Sequence, residues 1–263
     1  MSCLICERKI EFYFSKTFNC YNLEKVDYWR CTHCGFVLSR THMELSPEKW
    51  GQLNVEYHSS YQDSDSNPDD PKWLARIAKQ AAMLECAAQI GLINRGHWLD
   101  YACGDGKLSD LLQERGLTLL KYEHYMPART DYLKNSDLAD KRFNFVLTTS
   151  VFEHLTRREH FDAIENLVTS QGGAMGLHTL VREEIPSDPS WFYLLPVHCA
   201  FHTNRSMQLL FHQWGYTCSV YHLESRLWLW FKEDAETIRL RLKEAGHAGD
   251  AFIFKEDFVD YWK

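Results

Sequence analysis

Apolar residues recur at helical spacing over 73–91 (Leu74, Ile77, Ala78, Ala81, Leu84, Ala88). Gly91 ends that run, and glycine is the residue that most readily takes the left-handed turn closing a helix. Short apolar runs rich in aromatic and β-branched residues follow at 97–101, 117–122, 142–149 and 174–179. Between them, helical spacing returns at 108–116 and 155–169. A helix over 206–214, two strands over 216–221 and 227–231, and a charged helix over 233–245 complete the pattern. Strands separated by helices predict an α/β fold with a doubly wound, mainly parallel sheet, here expected to hold seven strands. The last two strands have no helix between them, which predicts an antiparallel hairpin.

The first 45 residues follow another pattern. Cys3-x-x-Cys6 and Cys31-x-x-Cys34 bracket a stretch of aromatic residues (Phe12, Tyr13, Phe14, Tyr28, Trp29) expected to form two or three short strands. Two thiolates three positions apart on a tight turn can face one tetrahedral Zn²⁺, and a second pair closes a structural site. Cys3, Cys6, Cys31 and Cys34 are therefore the expected zinc ligands of a small ribbon-like appendage. So small a unit draws its folding stability from the metal. Cys20, His33 and His42 are near enough to be substitute ligands, though none is needed; Cys86, Cys103, Cys199 and Cys218 are isolated and read as small apolar residues. The organisation expected is a zinc knuckle over 1–45, a helix and linker over 46–71, the α/β domain over 72–232 and a helical extension over 233–263. Ser46-Pro47 supplies a helix start. The polar stretch 59–71 reads as an exposed loop, and Tyr57 and Tyr61 beside it could close over a ligand.

The most informative segment is Asp100-Tyr101-Ala102-Cys103-Gly104-Asp105-Gly106, where a first strand turns into a first helix. Small residues there let a ligand approach the backbone, at the strand ends where such sheets bind ligands. A dinucleotide fingerprint would need a small residue at position 107, which is lysine. Asp100 ahead of the loop suits a cofactor carrying an ammonium group better than one carrying a pyrophosphate.

The segment resembles the first motif of class I S-adenosylmethionine-dependent methyltransferases. Glu123, at the end of the next strand, stands where that family places the acid that accepts both ribose hydroxyls. The run from Phe143 to Leu155, with Val151-Phe152-Glu153-His154-Leu155, resembles the family's fourth strand and the segment after it. The resemblance implies the Rossmann-like methyltransferase fold and S-adenosylmethionine as cofactor. Asp100, Ala102, Cys103, Gly104, Gly106, Glu123 and Ser150 would bind that cofactor. Zinc-bearing sugar methyltransferases share the knuckle, which implies a small-molecule acceptor such as a sugar or sugar nucleotide. Ala102 replaces the motif's first glycine and Asn144 stands where aspartate is usual. These departures motivate the alternative of a catalytically silent binding protein.

Methyl transfer needs a base if the acceptor is a hydroxyl or carbon acid, and histidine suits that role near neutral pH. Among thirteen histidines, His154 and His198 are best placed, with His178 and His202 second. Trp191, Phe192 and Tyr193 fall where the family builds its acceptor lid. A formal net charge of −7 disfavours a phosphate backbone as partner. It argues against the further alternative, an RNA methyltransferase reading through its knuckle. No apolar run is long enough to span a membrane, and the first residues lack the order of a signal peptide, so a cytoplasmic protein is expected. Nothing in the sequence bears on oligomeric state.

Overall fold

A computed structural model describes residues 2–62, 71–125 and 130–260. The chain begins with strands β1 (Ile10–Phe18), β2 (Glu24–Cys31) and β3 (Val37–Ser39) and the short helix α1 (Arg40–Met43). Helices α2 (Pro47–Gln62) and α3 (Pro71–Gln89) follow. Then come β4 (Trp98–Tyr101), α4 (Lys107–Glu114), β5 (Leu119–Tyr122), β6 (Tyr132–Leu133), α5 (Asn135–Leu138) and β7 (Phe145–Thr149). After a 3-10 turn at Phe152–His154 the chain forms α6 (Arg158–Glu165), β8 (Ala174–His178), β9 (Val181–Arg182), β10 (Ala200–Thr203) and α7 (Asn204–Gln213). It closes with β11 (Cys218–His222), β12 (Leu227–Phe231), α8 (Ala235–Glu244) and β13 (Phe252–Lys255).

The main sheet has the order β13-β11-β12-β8-β7-β4-β5-β6. Strands β6, β5, β4, β7 and β8 run parallel. Strand β12 is antiparallel to both β8 and β11, the expected hairpin. From β4 the chain winds outward through β5 and β6, then crosses back to place β7 on the other side of β4. The order reverses there, and a crevice opens at the carboxyl ends of β4 and β7.

Alternating side chains explain why the sheet is buried on both faces. Trp98, Phe145, Leu147, Leu227, Leu229 and Phe231 pack in one core with apolar residues of α3, α4 and α8. Leu99, Val146, Met175, Leu177, Trp228 and Trp230 belong to the core on the opposite face, which also takes in Phe14, Val26, Tyr28 and Val37 of the N-terminal strands. Gly176 lets the layers close: a Cβ there would lie 2.4 Å from Phe145 Cζ.

Three features differ from the sequence pattern. The extension over 233–263 is not helical throughout, since β13 adds an eighth, edge strand antiparallel to β11. Its alternation explains this: Phe252 and Phe254 join the core, while Ile253 is exposed. The helix expected over 155–169 spans only Arg158–Glu165, because Leu155 and Arg157 have extended backbones. The N-terminal strands do not form a sheet of their own. They run β1-β2-β3-β10-β9, pairing with two strands from late in the chain. Most of the expected polar loop, residues 63–70, lies outside the described residues, as does the side chain of Tyr61.

Candidate functional site

A cavity of about 620 Å³ opens at the switch point, walled by the ends of β4, β5, β7 and β8 and roofed by α2 and α3. At one end lie Asp100, Ala102, Cys103, Asp105 and Glu123; at the other lie Glu153, His154, His178, Tyr193 and His198. Tyr57, His58, Trp73 and Arg76 come from the two helices, and Ser150, just after β7, also lines the cavity.

The Asp100 carboxylate is buried. It accepts a hydrogen bond from Ser109 Oγ at 2.8 Å through Oδ2, while Oδ1 has no partner. Burial pushes its pKa up to about 7, opposed by the Ser109 bond. Glu123 braces the loop by accepting from the backbone N–H groups of Gly104 (2.9 Å), His124 (2.8 Å) and Tyr125 (2.8 Å). The two carboxylates face the same hollow. Ala102 and Ser150, which directly follow β4 and β7, have left-handed backbones (φ 57° and 58°). Non-glycine residues held there cost about 1–2 kcal/mol each, and such strain concentrates at ligand sites.

Cys103 also lines the cavity, and burial keeps it a thiol. Gly104 and Gly106 do not reach the cavity wall and support the loop from behind. The Gly104 carbonyl accepts from Tyr132 Oη at 3.0 Å. Gly106 begins α4 with φ 77°, and a Cβ on it would lie 2.7 Å from Tyr132 Oη. Asn144 stands at the other end of β7, where its Oδ1 accepts from the His97 N–H at 3.1 Å. It is not among the cavity residues.

The opposite end is a polar cluster in an apolar setting. Glu153 is buried and accepts from Thr179 Oγ1 at 2.8 Å and Tyr193 Oη at 2.6 Å. Burial raises its pKa, and those two donors oppose the rise. His198 donates through Nδ1 to the Tyr193 carbonyl at 2.9 Å, which leaves Nε2 bare. The His154 ring packs 5.0 Å from that of His198 and 5.2 Å from that of His58, and its Nδ1 is buried without a partner. Burial holds all of these imidazoles neutral: His198 and His178 are pushed down to about 3, and His154 well below its ordinary value. His202, by contrast, is a core residue packed among Phe36, Phe152 and Phe161 and lies off the cavity wall. Of the expected lid residues, Trp191 is buried off the cavity, while Phe192, largely exposed, and Tyr193 both line it.

The four N-terminal cysteines converge away from this cavity. Their sulfurs are 3.4 Å apart for Cys6–Cys31 and 3.6 Å for Cys3–Cys34 and Cys6–Cys34. A disulfide needs about 2.05 Å, whereas the edge of a tetrahedron with Zn–S bonds of 2.3 Å is about 3.8 Å. The N–H groups of Ile5, His33 and Cys34 point at the Cys3 and Cys31 sulfurs at 3.4 Å, as thiolates favour. This donor set fits a structural zinc ion.

The N-terminal sheet also holds the far wall of the cavity. Tyr13 Oη donates to the Ile185 carbonyl (2.7 Å), Lys16 Nζ to Leu194 (2.8 Å) and His42 Nε2 to Pro196 (2.8 Å). The Ser39 N–H donates to the Cys199 carbonyl at 2.7 Å, and the Cys199 N–H donates to the Glu153 carbonyl at 2.8 Å. The segment carrying Tyr193 and His198 is thus strung between the ribbon and the 3-10 turn.

The profile of the family described as "Methyltransferase domain" matches residues 72–220, more than half of the chain. The chain belongs to the methyltransferase domain family. The matched methyltransferase domain contains all of the cavity residues except those from α2 and Arg226. No curated protein matches the chain. Similar solved structures include a DhpI–SAH complex, at 14% identity and TM-score 0.46, covering 71% of this chain and 97% of that one. Another is Burkholderia thailandensis 1,6-didemethyltoxoflavin-N1-methyltransferase with 1,6-didemethyltoxoflavin and S-adenosylhomocysteine, at 12% identity and TM-score 0.46, covering 83% and 97%. The mitomycin 7-O-methyltransferase MmcR matches at 10% identity and TM-score 0.38, covering 73% and 69%. Likenesses this distant carry no weight for substrate or mechanism.

Proposed function

We propose that this methyltransferase domain uses S-adenosylmethionine to methylate a small-molecule acceptor. The observation that carries the reading is the pair of carboxylates, Asp100 and Glu123, facing one hollow at the switch point of the sheet. Asp100 Oδ1, buried and without a partner, suits the ammonium group of the cofactor. Glu123 suits the ribose hydroxyls, since one carboxylate can accept two O–H donors side by side. Ala102, Cys103 and Ser150 line the path between them, and the cofactor supplies an electrophilic methyl group when bound.

The histidine end of the cavity holds the acceptor. His198 Nε2 and His154 Nδ1 are bare, neutral and close to each other, and either can take the acceptor's proton as its oxygen, nitrogen or carbon is alkylated. Positioning two reactants in one closed site accounts for much of the barrier reduction in such a displacement. The four cysteines bind zinc in a structural role, as the closed set of sulfur donors favours. A sugar or sugar nucleotide is the acceptor class we favour, and the acidic net charge of −7 suits it better than RNA.

Isothermal titration with S-adenosylhomocysteine tests the cofactor reading. Micromolar binding by the wild-type chain, lost in Glu123→Ala, is expected; no binding by wild type would remove it. Release of S-adenosylhomocysteine with any acceptor would exclude the silent binding protein.

A further inference from the structure

The histidine end of the cavity contains more than a base requires. The donor atoms of Glu153, His154 and His198 all lie within 4.8 Å of one another. We propose that these three residues form a divalent transition-metal site, separate from the cysteine cluster, whose open coordination position faces the acceptor. The inference rests on the methyltransferase reading only for the site's role and not for the binding itself.

Three observations carry it. The first is the arrangement of partners around each donor. A metal-binding histidine usually donates its other ring N–H to a carbonyl or carboxylate, which fixes the tautomer and turns the lone pair to the ion. His198 does this with the Tyr193 carbonyl. Glu153 is anchored likewise, with one hydroxyl on each oxygen, which leaves further lone pairs free.

The second is a deficit. His154 Nδ1 is buried with no hydrogen-bond partner, although a lone pair shut away from water is costly to leave unused. The third is the donor set itself. Two imidazoles and one carboxylate match the ligands of catalytic zinc and of non-haem iron, both of which leave positions open for a reactant. Bond lengths of 2.0–2.2 Å require donors about 3.4 Å apart, so the three must draw in by about an ångström. His154 and Glu153 are neighbours on one 3-10 turn and His198 sits on a loop, so side-chain rotation supplies that movement.

Such an ion would carry two positive charges against the single charge of Glu153. With the lone pairs of His154 and His198 on the ion, neither histidine takes the proton as it would in the metal-free site; the ion instead favours an acceptor whose hydroxyl, enol or phenol oxygen can bind it and lose its proton to water. The acceptor class is then an oxygen nucleophile, preferably one with a second donor atom beside it.

The test is cobalt(II) titration of the full-length protein as purified, its cysteine cluster already loaded. One equivalent should bind with visible d–d absorption and no thiolate-to-cobalt band, and cobalt-edge X-ray absorption should show nitrogen and oxygen donors, two imidazoles among them. His198→Ala and, independently, His154→Gln should raise the cobalt Kd by at least about 100-fold, more than loss of a supporting hydrogen bond costs. No added equivalent in the wild type, a sulfur shell, or wild-type cobalt affinity in both variants would overturn the site. The wild-type spectra decide the matter even if a variant misfolds. S-adenosylhomocysteine binding measured in the same samples separates the two readings: binding without a cobalt site removes only the metal, and a cobalt site without binding removes the cofactor assignment.

Discussion

The two ends of the cavity are built in different ways. The 100–123 end is made largely of backbone: two strand ends, a loop of small residues and a carboxylate collecting three N–H groups, all within 24 positions. The 153–198 end is made of side chains drawn from α2, a 3-10 turn, the end of β8 and a loop, and the N-terminal ribbon holds that loop. One end should therefore be locally determined and rigid. The other should depend on distant packing and respond to damage far from the cavity. On our reading the ribbon is a buttress for the wall that carries Tyr193 and His198 and needs no role in reading a substrate.

The largest expected effect breaks the second end alone. On our reading Cys34→Ser removes a zinc ligand, and structural zinc contributes on the order of 10 kcal/mol to small domains that depend on it. The Cys34 carbonyl also accepts from Thr203 Oγ1, the side chain that caps α7, so the disturbance passes into β10. Expected results are loss of one equivalent of tightly held zinc and faster amide exchange over β1–β3 and 181–203. S-adenosylhomocysteine affinity should stay within about threefold, since no ribbon residue lines the cavity. An equal collapse of cofactor affinity would show that the two ends are not independent.

The converse experiment is Glu123→Ala. It removes the acceptor of three N–H groups and, on our reading, of two ribose hydroxyls. Hydrogen bonds to a charged group are worth about 1.5–3 kcal/mol each, so affinity for S-adenosylhomocysteine should fall at least about 100-fold in calorimetry. Exchange rates in the ribbon should not change. Binding as tight as wild type would show that the acid plays no part in holding the cofactor.

This asymmetry also governs what could be read from the chain before folding. Asp100, Ala102, Cys103 and Glu123 follow a continuous pattern of strand, small-residue loop, helix and strand, and local geometry suffices to bring them together. The convergence of Cys3, Cys6, Cys31 and Cys34 is equally legible, because spacing within each pair fixes the turn. Gly106 shows that a motif records where small residues are needed and not what needs the space, since a Cβ there would meet Tyr132 Oη. At the acceptor end, His154 and His198 were within reach as histidines after strand ends. Nothing local marks His58, on a helix distant in sequence, as a neighbour of His154, or Tyr193 as the partner of Glu153. Strands β9, β10 and β13 escaped notice for the same reason, being two to four residues long and defined by distant partners.

A smaller effect probes the charge at the cofactor end. Asp100 is held near 7 by burial, so in the free protein it is half protonated at neutral pH. A ligand ammonium beside it favours the ionised form, and binding then releases a proton. Affinity should rise with pH through about 7 and fall by up to tenfold per unit below it, a change of 1.36 kcal/mol. Folding has the opposite sign. The native carboxyl retains its proton over a range where the unfolded one, near 3.9, has lost it, so Asp100 costs stability as pH rises from about 4 to 7. In Asp100→Asn the slope in calorimetric affinity should vanish; if it persists unchanged, another group carries the charge.

The smallest expected effect bears on the one departure from the family pattern that does reach the site. Ala102 holds φ 57°, a conformation natural to glycine and unfavourable to alanine by about 1–2 kcal/mol. Ala102→Gly relieves that strain, but glycine has more freedom to lose from the unfolded chain, by about 0.5–1 kcal/mol. The two terms nearly cancel, leaving a gain of about 0.5 kcal/mol in urea unfolding. The removed methyl also lines the cavity, so S-adenosylhomocysteine should bind as tightly or up to about fivefold more tightly, with the ribbon untouched. A destabilisation above about 1 kcal/mol would mean that the alanine methyl packs productively and that the left-handed turn is not strained. The departure would then be an adaptation of the loop, and the first residue of the motif would be set by packing against β5 rather than by the approach of a ligand.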